Sequence, residues 1–222
     1  PMAAWMRAYE AKALHPVRIA IESANGRIVT RDAALIAARA YDLADERYLE
    51  RLVKFLLWSV GGYRVTICGA DALTQKLARD YAPGGARAFD AAFMDDVFER
   101  GFAIVSCAEE AFPATRGEAV SIGGHTAGCR IGFDAGGSDR KVSAVIDGEA
   151  VYSEEVVWHP KTQSDPRYHY EEIVRALQTA AAKMPRVDAI GVSSAGVFVG
   201  NSPMVSSLFL KVPRSDRAFV KD

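Results

Sequence analysis

The residues best suited to chemistry lie in one short stretch between two apolar runs, from Asp134 to Lys141. Asp134 ends the first run, and Gly136 and Gly137 follow it with backbone N–H groups that no side chain covers. Ser138 adds a hydroxyl group, and Lys141 adds a positive charge. Backbone N–H groups in a turn bind phosphate oxygens, and carboxylates bind Mg²⁺. The stretch therefore predicts a site for a phosphate chain with its magnesium ion.

The apolar runs on both sides of this stretch predict the strands that position it. A hairpin is predicted over Arg130–Ile146, with the Gly-Gly-Ser stretch as its turn. Asp147-Gly148 predicts a second turn, which leads into a third strand over Ala150–Trp158. Glycine-rich turns are common, so a plain hairpin without a ligand is the alternative explanation of these residues.

The segment Gly132–Ser138 resembles the first phosphate motif of the superfamily that unites sugar kinases, actin and the heat-shock ATPases. It is most similar to the ROK (repressor, open reading frame, kinase) family, whose usual form is Asp-Ile-Gly-Gly-Thr followed by a basic residue. Here Ala135 replaces Ile, Ser138 replaces Thr, and Lys141 stands one position later than usual. The resemblance implies that Asp134 holds Mg²⁺ through water. It also implies that the phosphates of ATP are bound by the turn and the cation after it: Gly136, Gly137, Ser138 and Lys141.

A second segment, Val187–Gly196, resembles the Gly-Ile-Gly-x-Pro-Gly segment of ROK kinases, with Ala195 in place of Pro. Before it, apolar residues at helical spacing predict a helix over Tyr170–Lys183. The order strand-strand-strand-helix-strand is the first half of the ribonuclease-H-like lobe of this superfamily, in which the last strand, Val187–Val192, pairs parallel to the first. In ROK kinases this segment leads into the sugar-side cleft. The resemblance implies that the substrate is a sugar or sugar derivative. It also implies that the cleft for this substrate is lined by Ser193, Ser194, Gly196 and Asn201.

The sequence predicts an α/β fold in two parts. Residues 1–127 are predicted as a small N-terminal α/β domain, and residues 128–222 as the first part of the ribonuclease-H-like (actin-like ATPase) lobe, with order β-β-β-α-β. The glycine-rich stretch 121–128 is predicted as the linker between them. The role of the N-terminal part stays open at this point.

Turn and helix signals predict the elements of the N-terminal part. Asn25-Gly26 predicts a hairpin between strands Val17–Ile21 and Arg27–Thr30. A helix, in one or two pieces, is predicted from Asp32 through Trp58, ending at Gly61-Gly62. The remaining elements are predicted in chain order as a strand, two helices and a strand: Tyr63–Cys68, Ala72–Tyr81, Asp90–Glu99 and Phe102–Cys107.

Charge, hydropathy and cysteine spacing exclude several classes of partner. The 27 basic and 28 acidic residues give a net charge of -1, which argues against a nucleic-acid-binding surface. Apolar runs such as Phe55–Trp58 are too short to span a bilayer, and no signal-peptide pattern opens the sequence. Cys68, Cys107 and Cys129 are odd in number and widely spaced, which predicts buried free thiols in a cytoplasmic protein rather than zinc ligands.

The segment Ser153–Tyr170 has two interpretations. Its prolines, aromatic residues and histidines suit a ligand-facing loop on a rigid scaffold. The favoured interpretation is a structured connection in which Trp158 and Tyr170 pack while the other residues are solvated.

Together these patterns predict the N-terminal portion of an ATP-dependent ROK-like sugar kinase. The catalytic Asn-Asp-x-Asp segment of the family and its second lobe have no counterpart here, so no catalytic residue is expected in this chain and ATP should bind weakly. The alternatives are a non-catalytic sugar-sensing or assembly protein on the same lobe, and an ATPase that activates a partner enzyme. Apolar residues around Val197–Leu210, uncovered without the second half of the lobe, predict a homo-oligomer.

Overall fold

The computed structural model describes residues 2–37, 42–117 and 123–221. The chain forms two compact units, Pro1–Ala119 and Val120–Asp222. Each unit contains a four-stranded sheet with helices, so the predicted α/β class is confirmed. Among the helices of the described ranges, none is long and apolar enough to cross a membrane.

The elements of the first unit, in chain order, are α1 Met2–Glu10, β1 His15–Glu22, β2 Ile28–Leu35, α2 Leu43–Val60, β3 Arg64–Cys68, α3 Asp71–Asp80, α4 Ala88–Phe98 and β4 Ala103–Cys107. The strands form one sheet with order β2-β1-β3-β4. Strand β1 pairs antiparallel with β2 and with β3, and β3 pairs parallel with β4. Helix α2 buries its apolar face against this sheet, and Ile19, Leu49, Val53 and Ile67 are completely buried between them.

The predicted hairpin around Asn25-Gly26 is confirmed, whereas the helix predicted after it is wrong in its first part. Asn25 and Gly26 both have positive φ, 59° and 70°, a conformation that Asn and Gly adopt more readily than other residues. Residues Asp32–Leu35 continue β2 and lie opposite His15–Arg18, so pairing with β1 outweighs their local helix propensity. The helix begins only at Leu43, where the Asp42 side chain accepts a hydrogen bond from the Ala44 N–H.

The elements of the second unit, in chain order, are β5 Cys129–Ala135, β6 Asp139–Ile146, β7 Glu149–Val157, α5 Pro166–Ala181, β8 Ala189–Ser194, β9 Val197–Val199, β10 Ser202–Val205 and α6 Arg217–Lys221. Strands β5 to β8 form one sheet with order β7-β6-β5-β8. Strands β5, β6 and β7 are successive antiparallel neighbours, and β8 pairs parallel with β5. The predicted hairpin, third strand and parallel last strand are therefore confirmed.

Helix α5 covers one face of the second sheet. Alternate residues of β5, Ile131 and Phe133 among them, are buried in one apolar cluster with Ala176 and Ala180 of the helix. The helix begins four residues before the predicted start, because the Asp165 side chain accepts a hydrogen bond from the Arg167 N–H and Pro166 occupies the first turn. The other face of the sheet remains open, and Asp134 lies on it.

Candidate functional site

The candidate site lies at the edge of the second sheet where β5 and β8 end. Parallel strands bring their carboxyl ends to the same edge, which is where open α/β sheets bind ligands. Asp134 lies opposite Ser193 in this register, and Ala135 lies opposite Ser194. The Ser194 hydroxyl also donates to the Ala135 carbonyl oxygen at 3.4 Å. The structure thus brings together the predicted phosphate residue Asp134 and two of the predicted substrate residues.

The turn between β5 and β6 presents free backbone donors. In the part of the chain that the structure describes, the N–H groups of Gly136, Gly137 and Ser138 have no hydrogen-bond partner. Gly136 must be glycine, because a Cβ atom there would lie 2.5 Å from the Asp139 carbonyl oxygen. Successive unpartnered N–H groups in a turn can bind an anion when they converge on one point.

Trp158 fixes this turn from the side of α5. Its backbone N–H donates to the Ser138 carbonyl at 3.1 Å, and its indole Nε1 donates to the Gly136 carbonyl at 2.7 Å. The side chain is only 1% exposed, which confirms the packing predicted for it. Because Trp158 donates hydrogen bonds to two carbonyls of the turn, the backbone of the turn is held in place. The N–H groups of the turn stay free.

Asp134 and Lys141 lie opposite each other in the β5–β6 pair, on the open face of the sheet. They line a shallow groove of about 440 Å³ together with Ser143 and Ser193. Asp134 is partly exposed, and its carboxylate has no hydrogen-bond donor among the described residues. A carboxylate without a hydrogen-bond donor, on the strand that leads into a turn with unpartnered N–H groups, suits a hydrated cation that bridges to an anion.

Lys141 is already engaged by carboxylates. Its Nζ donates to Asp139 at 3.1 Å and lies 3.9 Å from Glu155. The hydrogen bond to Asp139 raises the pKa of Lys141. The hydrogen bond between the Asp139 and Glu155 side chains lowers the pKa of Asp139 and raises that of Glu155. The charge of Lys141 is therefore balanced within the sheet before any ligand arrives.

The structure places the last two predicted substrate residues in tight turns after β8. Gly196 has φ of 146°, and a Cβ atom there would lie 2.5 Å from the Val205 carbonyl oxygen. Asn201 and Gly200 form the turn between β9 and β10 with φ of 69° and 58°. Turn geometry alone accounts for the residue type at both Gly196 and Asn201.

The connection between β7 and α5 differs from the prediction in one respect. Tyr170, expected to pack, is 61% exposed, and the preceding residue, His169, is buried instead. His169 Nε2 lies 3.0 Å from the Pro160 carbonyl oxygen and 2.9 Å from that of Leu208, so this nitrogen carries the hydrogen. The helix begins before Tyr170, which shifts the buried face of its first turn by one residue.

Sequence reasoning missed one residue at the site, Lys161. It belongs to a single 3₁₀ turn, Pro160–Thr162, and its side-chain end lies over Gly137. A Cβ atom on Gly137 would lie 2.4 Å from Lys161 Cε and 2.5 Å from its Nζ. The contact joins two loops that are remote in sequence, so no local pattern indicates it.

The three cysteines belong to sheet strands: Cys68 and Cys107 end β3 and β4 in the first unit, and Cys129 begins β5 in the second. Cys68 and Cys107 are opposite each other in the β3–β4 pair, and Cys68 Sγ donates to Glu109 Oε2 at 3.2 Å. Burial and this hydrogen bond raise the pKa of Cys68 to about 11. All three cysteines are free; Cys68 and Cys129 are buried as predicted, whereas Cys107 is only partly buried. Within the described ranges, no group of three or more His, Cys, Asp or Glu residues is placed to hold a metal ion.

Two solved structures show a distant likeness to this chain. No family model and no curated protein matches the chain. An exopolyphosphatase from Cytophaga hutchinsonii aligns over 81% of this chain and 64% of its own, at 9% identity and a TM-score of 0.24. MreB 5 of Spiroplasma citri, bound to AMPPNP, aligns over 70% of this chain and 49% of its own, at 12% identity and a TM-score of 0.17. The chain thus spans less than two thirds of either protein, and at these TM-scores neither likeness carries an argument.

Proposed function

We propose that the second unit is the phosphate-binding part of a magnesium-dependent, ATP-using kinase of the ROK type, with a sugar or sugar derivative as its substrate. The observation that carries the proposal is the turn 136–138, whose three N–H groups are unpartnered and which directly follows the end of β5, the strand that carries Asp134. Exposed N–H groups of a plain hairpin turn bond to water, so the unpartnered Asp134 carboxylate on the same strand is what favours a ligand site here. The resemblance of Gly132–Ser138 to the ROK phosphate motif supports the same assignment.

In this proposal the residues divide between the two reactants. The N–H groups of Gly136, Gly137 and Ser138 contact the β- and γ-phosphates, and Asp134 holds Mg²⁺ through water. Bound Mg²⁺ neutralises charge on the phosphates during phosphoryl transfer. The sugar side is assigned to the end of β8 and the turns that follow it: Ser193, Ser194, Gly196 and Asn201.

Magnesium-dependent binding of ATP to this chain tests the proposal. We expect calorimetric titration with ATP to show binding in Mg²⁺ and much weaker binding in EDTA. The affinity in Mg²⁺ should be weaker than micromolar, which corresponds to less than about 8 kcal/mol. Titration with Mg²⁺ and adenosine, which lacks phosphates, is the matched control. Equal affinity in Mg²⁺ and EDTA, or no binding at millimolar ATP, would contradict the proposal.

A further inference from the structure

Two lysines lie near the turn 136–138, which we call the phosphate turn, and their surroundings differ. Lys141, on the open face of the sheet, is held by Asp139 and Glu155 and lies opposite Asp134. Lys161 is exposed, and no carboxylate of the described residues is within ion-pair distance of it. A cation with compensating carboxylates gains little from a ligand anion, whereas an uncompensated cation gains more.

The backbone that carries Lys161 is fixed at several points. His169 Nε2 donates to the carbonyl of Pro160, and the Tyr168 hydroxyl accepts a hydrogen bond from the His159 N–H at 3.1 Å. The Thr162 hydroxyl donates to the His159 carbonyl at 3.0 Å. The Tyr168 ring stacks on Trp158, the same residue that holds the phosphate turn. The turn and the backbone of Lys161 are therefore positioned by one buried cluster.

Gly137 leaves the space that the Lys161 side chain occupies. Its φ lies outside the left-handed region, so its backbone conformation is open to any residue. What glycine provides here is room, because a Cβ atom would overlap Lys161 Cε and Nζ. The ammonium group consequently rests directly on the turn whose N–H groups are free.

We infer that Lys161 is the cation that binds the anionic ligand of this turn, and that the ligand is a phosphate chain such as the triphosphate of a nucleotide. The inference rests on the proposed function, which assigns the turn to phosphates, and adds a residue that the sequence resemblance did not. In the complex, the Lys161 ammonium group and the N–H donors of the turn contact the same phosphate chain from adjacent positions. Lys141 then serves mainly to neutralise Asp139 and Glu155.

Inorganic triphosphate is the probe that tests this inference, because it carries the phosphate chain without the nucleoside. We expect Lys161→Gln to weaken its binding to the chain about tenfold or more, as loss of a charged hydrogen bond does. Lys161→Arg should retain most of the affinity, and Lys211→Gln, a matched change at another exposed lysine of the same unit, should leave it unchanged. Gly137→Ala should weaken binding as well, because the added methyl group displaces the lysine end.

Nuclear magnetic resonance of the chain with ¹³C-methylated lysines provides a second readout, since dimethylation preserves the charge. The Lys161 signal should shift most on titration with triphosphate. If wild-type chain binds triphosphate but Lys161→Gln binds equally well, or if only Lys141→Gln weakens binding, the inference is overturned while the proposed function stands. If the wild-type chain binds ATP but not triphosphate, the inference is overturned and the proposed function stands; if it binds neither, both are overturned.

Discussion

Replacing Asp134 by Ala is expected to remove the magnesium dependence of ATP binding and to lower turnover in the proposed kinase reaction on the order of 10²–10³-fold. Asp134 lies near the end of β5, opposite Ser193 and two residues before the turn with free N–H groups. It accepts no hydrogen bond among the described residues and has only a minor coulombic interaction with Lys141, so the substitution removes little that stabilises the hairpin. The free energy of unfolding should therefore change by less than about 0.5 kcal/mol.

The measurement is a pair of calorimetric titrations with ATP, one in Mg²⁺ and one in EDTA, for the wild-type chain and two variants. Glu149→Ala is the matched control, because Glu149 is an exposed carboxylate at the opposite end of the sheet. We expect the ratio of the two affinities to fall to about one in Asp134→Ala and to keep its wild-type value in Glu149→Ala. An unchanged ratio in Asp134→Ala would show that the metal binds elsewhere.

Replacing Trp158 by Ala should destabilise the second unit by about 3–5 kcal/mol, the usual cost of deleting a buried tryptophan side chain. The side chain is 1% exposed, stacks on Tyr168 and donates to the Gly136 carbonyl at 2.7 Å. The variant thus loses packing and a hydrogen bond at once. Trp158→Phe keeps most of the apolar area and should cost less, with about 1 kcal/mol from the lost hydrogen bond.

Hydrogen exchange of the β5 and β6 amides is the suitable measurement, because two compact units can unfold separately and a global transition would mix them. Val157→Ala is the control, since the adjacent Val157 side chain is 71% exposed and should cost little. Protection in Trp158→Ala within about 1 kcal/mol of wild type would contradict the role assigned to Trp158 in holding the turn.

The part of the fold that the sequence predicts well is the part encoded by local turn chemistry. Asp147 and Gly148 both have positive φ, 51° and 91°, and join β6 to β7 as the Asp-Gly pair predicts. The apolar runs on either side then fix the strands. The parallel pairing of β8 with β5 followed from the family resemblance and is confirmed by the register.

The errors arise where long-range contacts decide the outcome. Residues Asp32–Leu35 have no strong strand signal, and only their pairing with β1 makes them a strand. The Asp165-Pro166 pair is a sequence signal for the start of α5, which the predicted start at Tyr170 does not take into account. Lys161 could not be found from sequence, because its position over Gly137 depends on a buried cluster formed by several loops and a helix.

The central claim, that the end of β5 binds a metal–nucleotide complex, is tested most directly by replacing Mg²⁺ with paramagnetic Mn²⁺. Bound Mn²⁺ broadens the amide signals of nearby residues, and the effect falls steeply with distance. With Mn²⁺ and ATP together, broadening should centre on residues 134–138 and Ser193, while the signal of Glu149 stays sharp. Broadening centred elsewhere, or the same pattern with Mn²⁺ and no ATP, would contradict the claim.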